Sequence, residues 1–417
     1  MHLISKVRKK NSLIRNSSYL YLSHFADYAL GILFLPFIAR TIGTLEFGLI
    51  GVMQTYGILI TLFMEFGSPI IATRRISRLV HDKKNLKIFI SNITTFKIIL
   101  IPIVLILSSS TLLLVPIFAN NPKYLMIVVI GSIFQGIAPT WYFQGLERME
   151  KIAVSKTVFR LIGFIAIFLF VESSNDSWIV LFSYASSSFL ICVYLFSLII
   201  KETGSLNIFY QSKPFVLLRK SISSFLVSII PVLYQNISLL ILTTFINPVQ
   251  LGFYIGANRI YKAFNSLYGP ISQAFLPIVS SIDKNNKFQI KIVIIKYLIF
   301  MTLFGAFFFA LNFIFADFII LILLGEEYMP AVELLRLFSI VLPLTAVSNA
   351  IGRQWLIALN KDFFYFLTQL LSSAIAFIYL FYFIENLQVD SLIISFIIYE
   401  LSTITLISVF HIKNVKK

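Results

Sequence analysis

Long apolar runs separated by short polar or basic segments dominate the chain. A helix that crosses a bilayer needs about 20 mostly apolar residues. Roughly twelve such runs can be marked, at 18–39, 47–67, 88–115, 124–143, 152–171, 178–200, 215–245, 251–280, 292–324, 331–358, 363–384 and 391–411. Each predicts a spanning helix. The limits are hardest to draw across 88–143, where Pro102, Pro116, Pro139 and Asn120-Asn121-Pro122 interrupt the pattern. The runs 215–245 and 292–324 exceed the thickness of the hydrocarbon core, so these helices are expected to tilt or protrude. The connections between runs are short, and no soluble domain is expected.

Composition agrees with the pattern. The chain of 417 residues is 58% hydrophobic and 12% charged, with a mean hydropathy of +0.90. A soluble domain is about 45–50% apolar and about 25% charged, so a soluble enzyme and a disordered chain are excluded. The net charge of +16 suggests nucleic-acid binding in a soluble protein, and basic cytoplasmic loops in a membrane protein. The distribution decides between them. With the N-terminus inside, 26 of the 34 Lys and Arg fall in alternate segments (1–17, 68–87, 148–156, 201–220, 284–296, 361 and 413–417), and only Arg40 and Lys123 fall in the opposite ones. That asymmetry predicts an even number of spans, both termini cytoplasmic and no nucleic-acid partner. The basic N-terminus lacks a short apolar core before a small-residue cleavage site, so it reads as a cytoplasmic tail leading into a retained span.

Little in the sequence points to catalysis. Cys192 is the single cysteine, His2, His24, His81 and His411 are scattered, and no phosphate-binding glycine loop or nucleophile motif occurs. The expectation is a non-enzyme with no cofactor and no metal site.

An internal repeat is visible. Residues 42–51 read IGTLEFGLIG and 246–255 read INPVQLGFYI, matching Ile42 to Ile246 and Gly48 to Gly252 at an offset of 204. Gly67-Ser68-Pro69 is echoed by Gly269-Pro270. The expected architecture is all-α and polytopic: an N-terminal six-helix lobe at 1–200, a cytoplasmic linker at 201–214 and a C-terminal six-helix lobe at 215–417. Two parallel halves of this kind enclose a midplane cavity in secondary transporters.

Ionisable residues inside a membrane are costly and mark function unless they snorkel. Arg259 lies roughly 12 Å inside its run at 1.5 Å per residue, and Lys262 follows one turn deeper on the same face. Two cations on one face attract anions, although each would serve packing alone if paired with a buried carboxylate. Asp27, near the centre of the first run, is a counter-ion for that pair or a proton-coupling carboxylate. Glu65 is close enough to the interface for simple solvation. Arg160, Arg353 and Lys97 are placed to snorkel, with Arg160 and Arg353 kept as candidates for substrate contact. Asp317 and the Glu333/Arg336 pair read as interface charge. Gln54 aligns with Asn258 through the repeat, so both halves carry an amide at corresponding depth. Gln235, Asn236, Tyr56, Tyr234 and Tyr261 suit sugar hydroxyls, or ordinary bonds between helices.

At 139–149 the sequence reads PTWYFQGLERM. This closely resembles a signature of Wzx-type O-antigen and polysaccharide repeat-unit flippases, in the multidrug/oligosaccharidyl-lipid/polysaccharide exporter superfamily. FIARTIGTLEFGLIGVMQT at 37–55, NPVQLGFYIGANRIYKAF at 247–264 and IGRQWLIALNKDFF at 351–364 resemble the same family. The resemblance implies two six-helix lobes, with the first, second, seventh and eighth helices lining a central cavity. Asp27, Gln54, Arg259 and Lys262 lie on those helices, whereas Arg160 and Arg353 do not. It implies transport of an undecaprenyl-diphosphate-linked oligosaccharide from the inner to the outer leaflet of a bacterial cytoplasmic membrane, for lipopolysaccharide biosynthesis. A proton or sodium ion for coupling, membrane lipid, and the polymerase and chain-length proteins of the same pathway are the other partners implied. The alternative on the same fold is an ion-coupled multidrug or organic-cation antiporter, which would favour acidic cavity residues over basic ones.

Overall fold

The computed structural model describes the backbone of residues 2–204, 214–269, 271–272, 275, 287–354, 356 and 361–415. Side chains are described for the same residues except 2–29, 70, 214–224, 226–228, 287–291, 353–354, 362 and 411–415. Among the described residues every regular element is helical. In chain order they are α1 (His2–Glu65), α2 (Ser68–Leu79), α3 (Lys83–Leu114), α4 (Pro122–Ile137), α5 (Thr140–Gly145), α6 (Met149–Phe170) and α7 (Ser177–Thr203). There follow α8 (Pro214–Leu242), α9 (Pro248–Ser266), α10 (Lys287–Ile314), α11 (Ala316–Leu323), α12 (Ala331–Ser348) and α13 (Asp362–Val415). Short turns at 116–119, 174–176 and 326–328 and a π-helical turn at 349–354 complete the set.

Among the described residues, eight helices are long and apolar enough to cross a membrane. The difference from twelve runs has identifiable causes. Runs 18–39 and 47–67 join in α1, interrupted at Gly43 (φ 75°, ψ 172°). The last two join in α13, interrupted at Gln388 (φ 43°, ψ −116°). The 292–324 run does not protrude as one helix; it breaks at Phe315 into α10 and α11. The polar residues of α9 keep it out of the eight, and α8 contributes only a shorter apolar stretch, Ile229–Leu242.

The outward faces are those of a protein solvated by lipid. Large apolar side chains stand open on α3 (Ile106, Leu113 and Leu114), α6 (Phe168 and Leu169), α10 (Leu303 and Phe307) and α13 (Phe381). Soluble monomers rarely expose so many large apolar side chains together. In a bilayer they carry no penalty, because the surrounding hydrocarbon is as apolar as leucine.

The chain divides into two units, one of Met1–Phe34 and Val52–Ile229, the other of Leu35–Gly51 and Ile230–Lys417. The linker residues 205–213 lie outside the described residues.

The first unit is organised by the signature segment. Trp141, Tyr142, Phe143 and Gly145 of α5 are buried in a core that includes Ile76 of α2, Ile90 of α3, Ile152 of α6 and Leu195 of α7. Thr73 Oγ1 donates to the Trp141 carbonyl (3.5 Å) and to Gln144 Oε1 (3.4 Å). Glu202 accepts from Tyr142 Oη at 2.9 Å and pairs with Arg148 at 2.6 Å. The motif is therefore a docking node where five helices meet.

Asp82 starts α3 by accepting the Asn85 amide N–H at 3.0 Å, the usual way of satisfying a free donor in a first turn. The hydrogen bonds from Asn85 hold its carboxyl below the usual carboxylate range. The cap therefore stabilises the turn above the carboxyl's ordinary titration and is lost as pH falls through its lowered pKa. Asp82→Ala is expected to speed amide exchange at 85–87 at neutral pH. The difference from wild type should vanish once acid has protonated the native cap.

The second unit is built around α12, which packs on α9, α10 and α13. Tyr261 stacks on Phe338 (5.0 Å between ring centres), and Tyr234 stacks on Tyr399 (5.0 Å). Tyr234 Oη and Ser395 Oγ are 2.8 Å apart. Tyr234 is thus a bond between helices, as is Tyr56 with Ser108 (3.3 Å) in the first unit.

Candidate functional site

The Leu35–Gly51 stretch of α1 belongs to the second unit, and its local sequence explains its shape. Gly43 supplies the positive φ that breaks the helix. The new helical start at Thr44 is capped by Glu327, whose Oε1 accepts from Thr44 N (3.2 Å) and Thr44 Oγ1 (2.8 Å). On the other side of the break, Arg40 donates to the carbonyls of Leu321 (3.0 Å) and Ile322 (2.8 Å) near the end of α11. An anion at a helix start and a cation at a helix end both complement the helix dipole.

The repeat seen in the sequence is a physical contact here. A Cβ built on Gly48 would lie 2.5 Å from the Pro248 carbonyl oxygen, and one on Gly252 would lie 2.1 Å from the Thr44 carbonyl oxygen. Residues 44 and 248 are themselves equivalent at the offset of 204. The two copies of the motif therefore cross reciprocally, each glycine against the other copy's backbone, as a local two-fold relation requires.

That crossing positions α9, which Asn247 and Gln250 begin with a reciprocal capping box and Pro248 at the first turn. The helix starts at Pro248, three residues before the expected run, so Arg259 stands deeper along it, about 16 Å from the start. Its guanidinium lies over the Phe47 ring, 4.6 Å from the centre, a favourable stacking of cation on aromatic face. Lys262, one turn on, is exposed within the second unit. It lines a small, largely enclosed pocket with Gln235, Asn236, Asn258, Tyr261, Tyr399 and Glu400. Asn258 is buried, and its Oδ1 has no hydrogen-bond partner among the described residues.

The remaining candidates are distributed differently. Gln54 is half-buried in the first unit, whereas Asn258 belongs to the second. Arg160 is half-buried beside Ser183, Tyr184 and Ser187, in a shallow pocket of the first unit. The side chains of Asp27 and Arg353 lie outside the described residues, on α1 and on the π-helical turn respectively. Arg336 bridges Glu333 (2.6 Å) and also Asp317 (2.7 Å), tying α11 to α12.

Two residues depart from the sequence reading. Lys97 does not snorkel: it is 1% exposed, and its Nζ donates to the Gly136 carbonyl. The cause is Pro139, which ends α4. The Thr140 N–H that would serve Gly136 in a continued helix bonds Ala138 O instead, at 2.9 Å. Lys97 fills the vacancy and completes the helix end. Glu65 is half-buried in the same unit, within electrostatic range of Lys97 and Lys156. Lys97→Met is expected to cost about 1–3 kcal/mol in thermal unfolding, because the Gly136 carbonyl loses its donor while volume is kept.

Glu400, absent from the sequence candidates, is 8% exposed and accepts from Thr345 Oγ1 (3.0 Å) and from Ser348 Oγ. Its partners lie on α12, more than fifty residues away in sequence. The only sequence signal was its place within the last apolar run. Among the described residues no cluster of His, Cys, Asp and Glu has the make-up of a metal site.

Comparison with known proteins accounts for the fold. Residues 13–283 match the family described as "Polysaccharide biosynthesis protein". Two relatives carry the name "Putative O-antigen transporter". That of Escherichia coli (strain K12) is 28% identical over 85% of this chain and 86% of its own. That of Shigella dysenteriae is 26% identical over 98% of this chain and 100% of its own. Among solved structures, "Lipid II flippase MurJ, inward closed conformation" superposes with a TM-score of 0.77 at 14% identity, covering 96% of this chain and 87% of that one. An inward-facing multidrug resistance MATE family transporter of the MOP superfamily gives 0.69 at 12% identity, over 94% of both chains. At these identities the structures speak for the fold alone. The all-helical, multi-pass chain is a membrane protein of the polysaccharide biosynthesis protein family.

Proposed function

We propose that the protein is a flippase for lipid-linked oligosaccharides. It moves an undecaprenyl-diphosphate-linked polysaccharide repeat unit from the inner to the outer leaflet of the bacterial cytoplasmic membrane by alternating access. The observation that carries this reading is the pair of cations on α9, with Arg259 backed by Phe47 and Lys262 opening onto a pocket rich in amides and hydroxyls. Family membership and the names of the two relatives support it.

The physical task is to carry a diphosphate and a polar glycan past about 30 Å of hydrocarbon. Fixed cations offset the desolvation of the diphosphate, the amides and phenols replace water around sugar hydroxyls, and the polyprenyl chain remains in lipid. In this reading the chain forms twelve spans in two six-helix lobes (1–200 and 215–417, joined by 201–214), with both termini cytoplasmic. Asp27, Gln54, Arg259 and Lys262 contact the substrate, Asn258 supplies an amide, and Arg160 and Arg353 make outlying contacts. A proton or sodium gradient resets the carrier, beside the polymerase and chain-length proteins of the pathway.

Deletion of the gene in its host tests the proposal. Lipid-linked repeat units should accumulate on the inner leaflet, surface polysaccharide should disappear, and plasmid-borne wild type should restore it. An organic-cation antiporter would leave both unchanged and alter drug tolerance instead.

A further inference from the structure

Glu400 sits in a setting that an ionised carboxylate does not tolerate alone. Its two hydrogen bonds come from neutral hydroxyls of α12, and no cation forms an ion pair with it among the described residues. An uncompensated carboxylate buried in apolar surroundings is neutralised by a cation or by a proton.

The groups facing it from each neighbouring helix are few. From α9 come Tyr261 and Lys262, from α8 Tyr234, and from α13 itself Tyr399. Three are phenols. Lys262 shares the pocket but makes no ion pair with Glu400, and Arg259 is the charged neighbour acting on it. Arg353, five residues beyond Ser348, has a side chain outside the described residues.

A second feature of the pocket points the same way. Asn258 Oδ1 is a buried acceptor that lacks a donor among the described residues, and Gln235 and Asn236 add further amides to the lining. One buried acceptor of the lining thus stands without a donor among the described residues, in the pocket that holds the acid. A carboxylic acid supplies an O–H donor where a carboxylate supplies none, and the pocket has room for about one water beside it.

We propose that Glu400 is the site of an exchangeable proton in the second unit, loaded through the pocket it shares with Asn258 and Lys262. The cycle balances as one proton taken from water by the Glu400 carboxylate and returned to water later, with no other bond made or broken. The assignment stands apart from the flippase reading, because its test needs no substrate.

The test is infrared difference spectroscopy on the purified full-length chain in detergent, stepped between acidic and alkaline pH in potassium buffer and again with added sodium. Wild type should gain a buried carboxylic C=O band on acidification that Glu400→Gln lacks. Thr345→Val with Ser348→Ala should keep that band but move it to higher frequency, since the acid loses its hydroxyl partners. This double variant also decides the matter should Glu400→Gln fail to fold. An unchanged band in Glu400→Gln, or no shift in the double variant, would overturn the proposal. So would conversion of the band to carboxylate by sodium at fixed pH, which would make the site one for sodium.

Discussion

Gly252→Ala is expected to destabilise the protein by about 2 kcal/mol or more, although alanine is the better helix former. Helix propensity alone favours alanine over glycine by about 0.8–1.0 kcal/mol. Against this, the added methyl would stand 2.1 Å from the Thr44 carbonyl oxygen and 2.9 Å from its carbon. Both are backbone atoms, fixed by the turn at Gly43 and the Glu327 cap. They yield only if two helices part, and overpacking of this kind costs about 1–3 kcal/mol, occasionally more. Gly51→Ala should cost less, because its nearest neighbours, at 2.5–2.8 Å, are side-chain atoms of Ile255 that can turn away. Gly269→Ala meets nothing within 4 Å among the described residues and should be neutral. Thermal unfolding of the three purified variants in one detergent checks the order. A Gly252→Ala variant that melts with wild type would mean that the crossing of the two repeats is not as tight as described.

The second large effect is expected from the α9 cations. At an effective dielectric of about 20, a unit charge 4 Å from a phosphate contributes about 4 kcal/mol, and each 1.4 kcal/mol is tenfold in affinity. Loss of either charge should therefore weaken capture of a diphosphate by about a hundredfold or more. Arg259→Ala and Lys262→Ala should each abolish surface polysaccharide in a deletion strain at normal protein level. Arg259→Lys keeps the charge but loses the planar stacking on Phe47, so partial activity is expected. Lys262→Arg should be milder, since its side chain is exposed at the pocket. Normal polysaccharide in both alanine variants would remove these residues from the substrate path.

Much of the helical architecture could be read from the chain because hydrophobic length is a one-dimensional property. The runs at 152–171 and 178–200 correspond closely to Met149–Phe170 and Ser177–Thr203. The pairing of Gly48 with Gly252 was also visible, as an offset, before it became a contact. What escaped the sequence depends on neighbours in space. Judged by depth along its own helix alone, Lys97 reads as a snorkelling lysine. Its partner is the carbonyl that Pro139 frees on another helix, so the proline was the signal. Glu400 was missed for the same reason, since its hydroxyl donors lie across α12 and no local spacing announces them. The break at Gln388 carries no glycine or proline, so nothing in its residue type marks a positive φ.

In the proposed function the Arg259 and Lys262 charges carry an anionic, lipid-linked glycan across the membrane. Its most direct test is transport by the purified chain in proteoliposomes. Polyprenyl-diphosphate-linked oligosaccharide is loaded into both leaflets, and its accessibility to a glycosidase added outside is followed over time. Wild type should expose nearly all of the oligosaccharide to the enzyme, and Arg259→Ala/Lys262→Ala only the fraction that began in the outer leaflet. Equal exposure by wild type and the double variant would mean that the two charges do not carry the substrate.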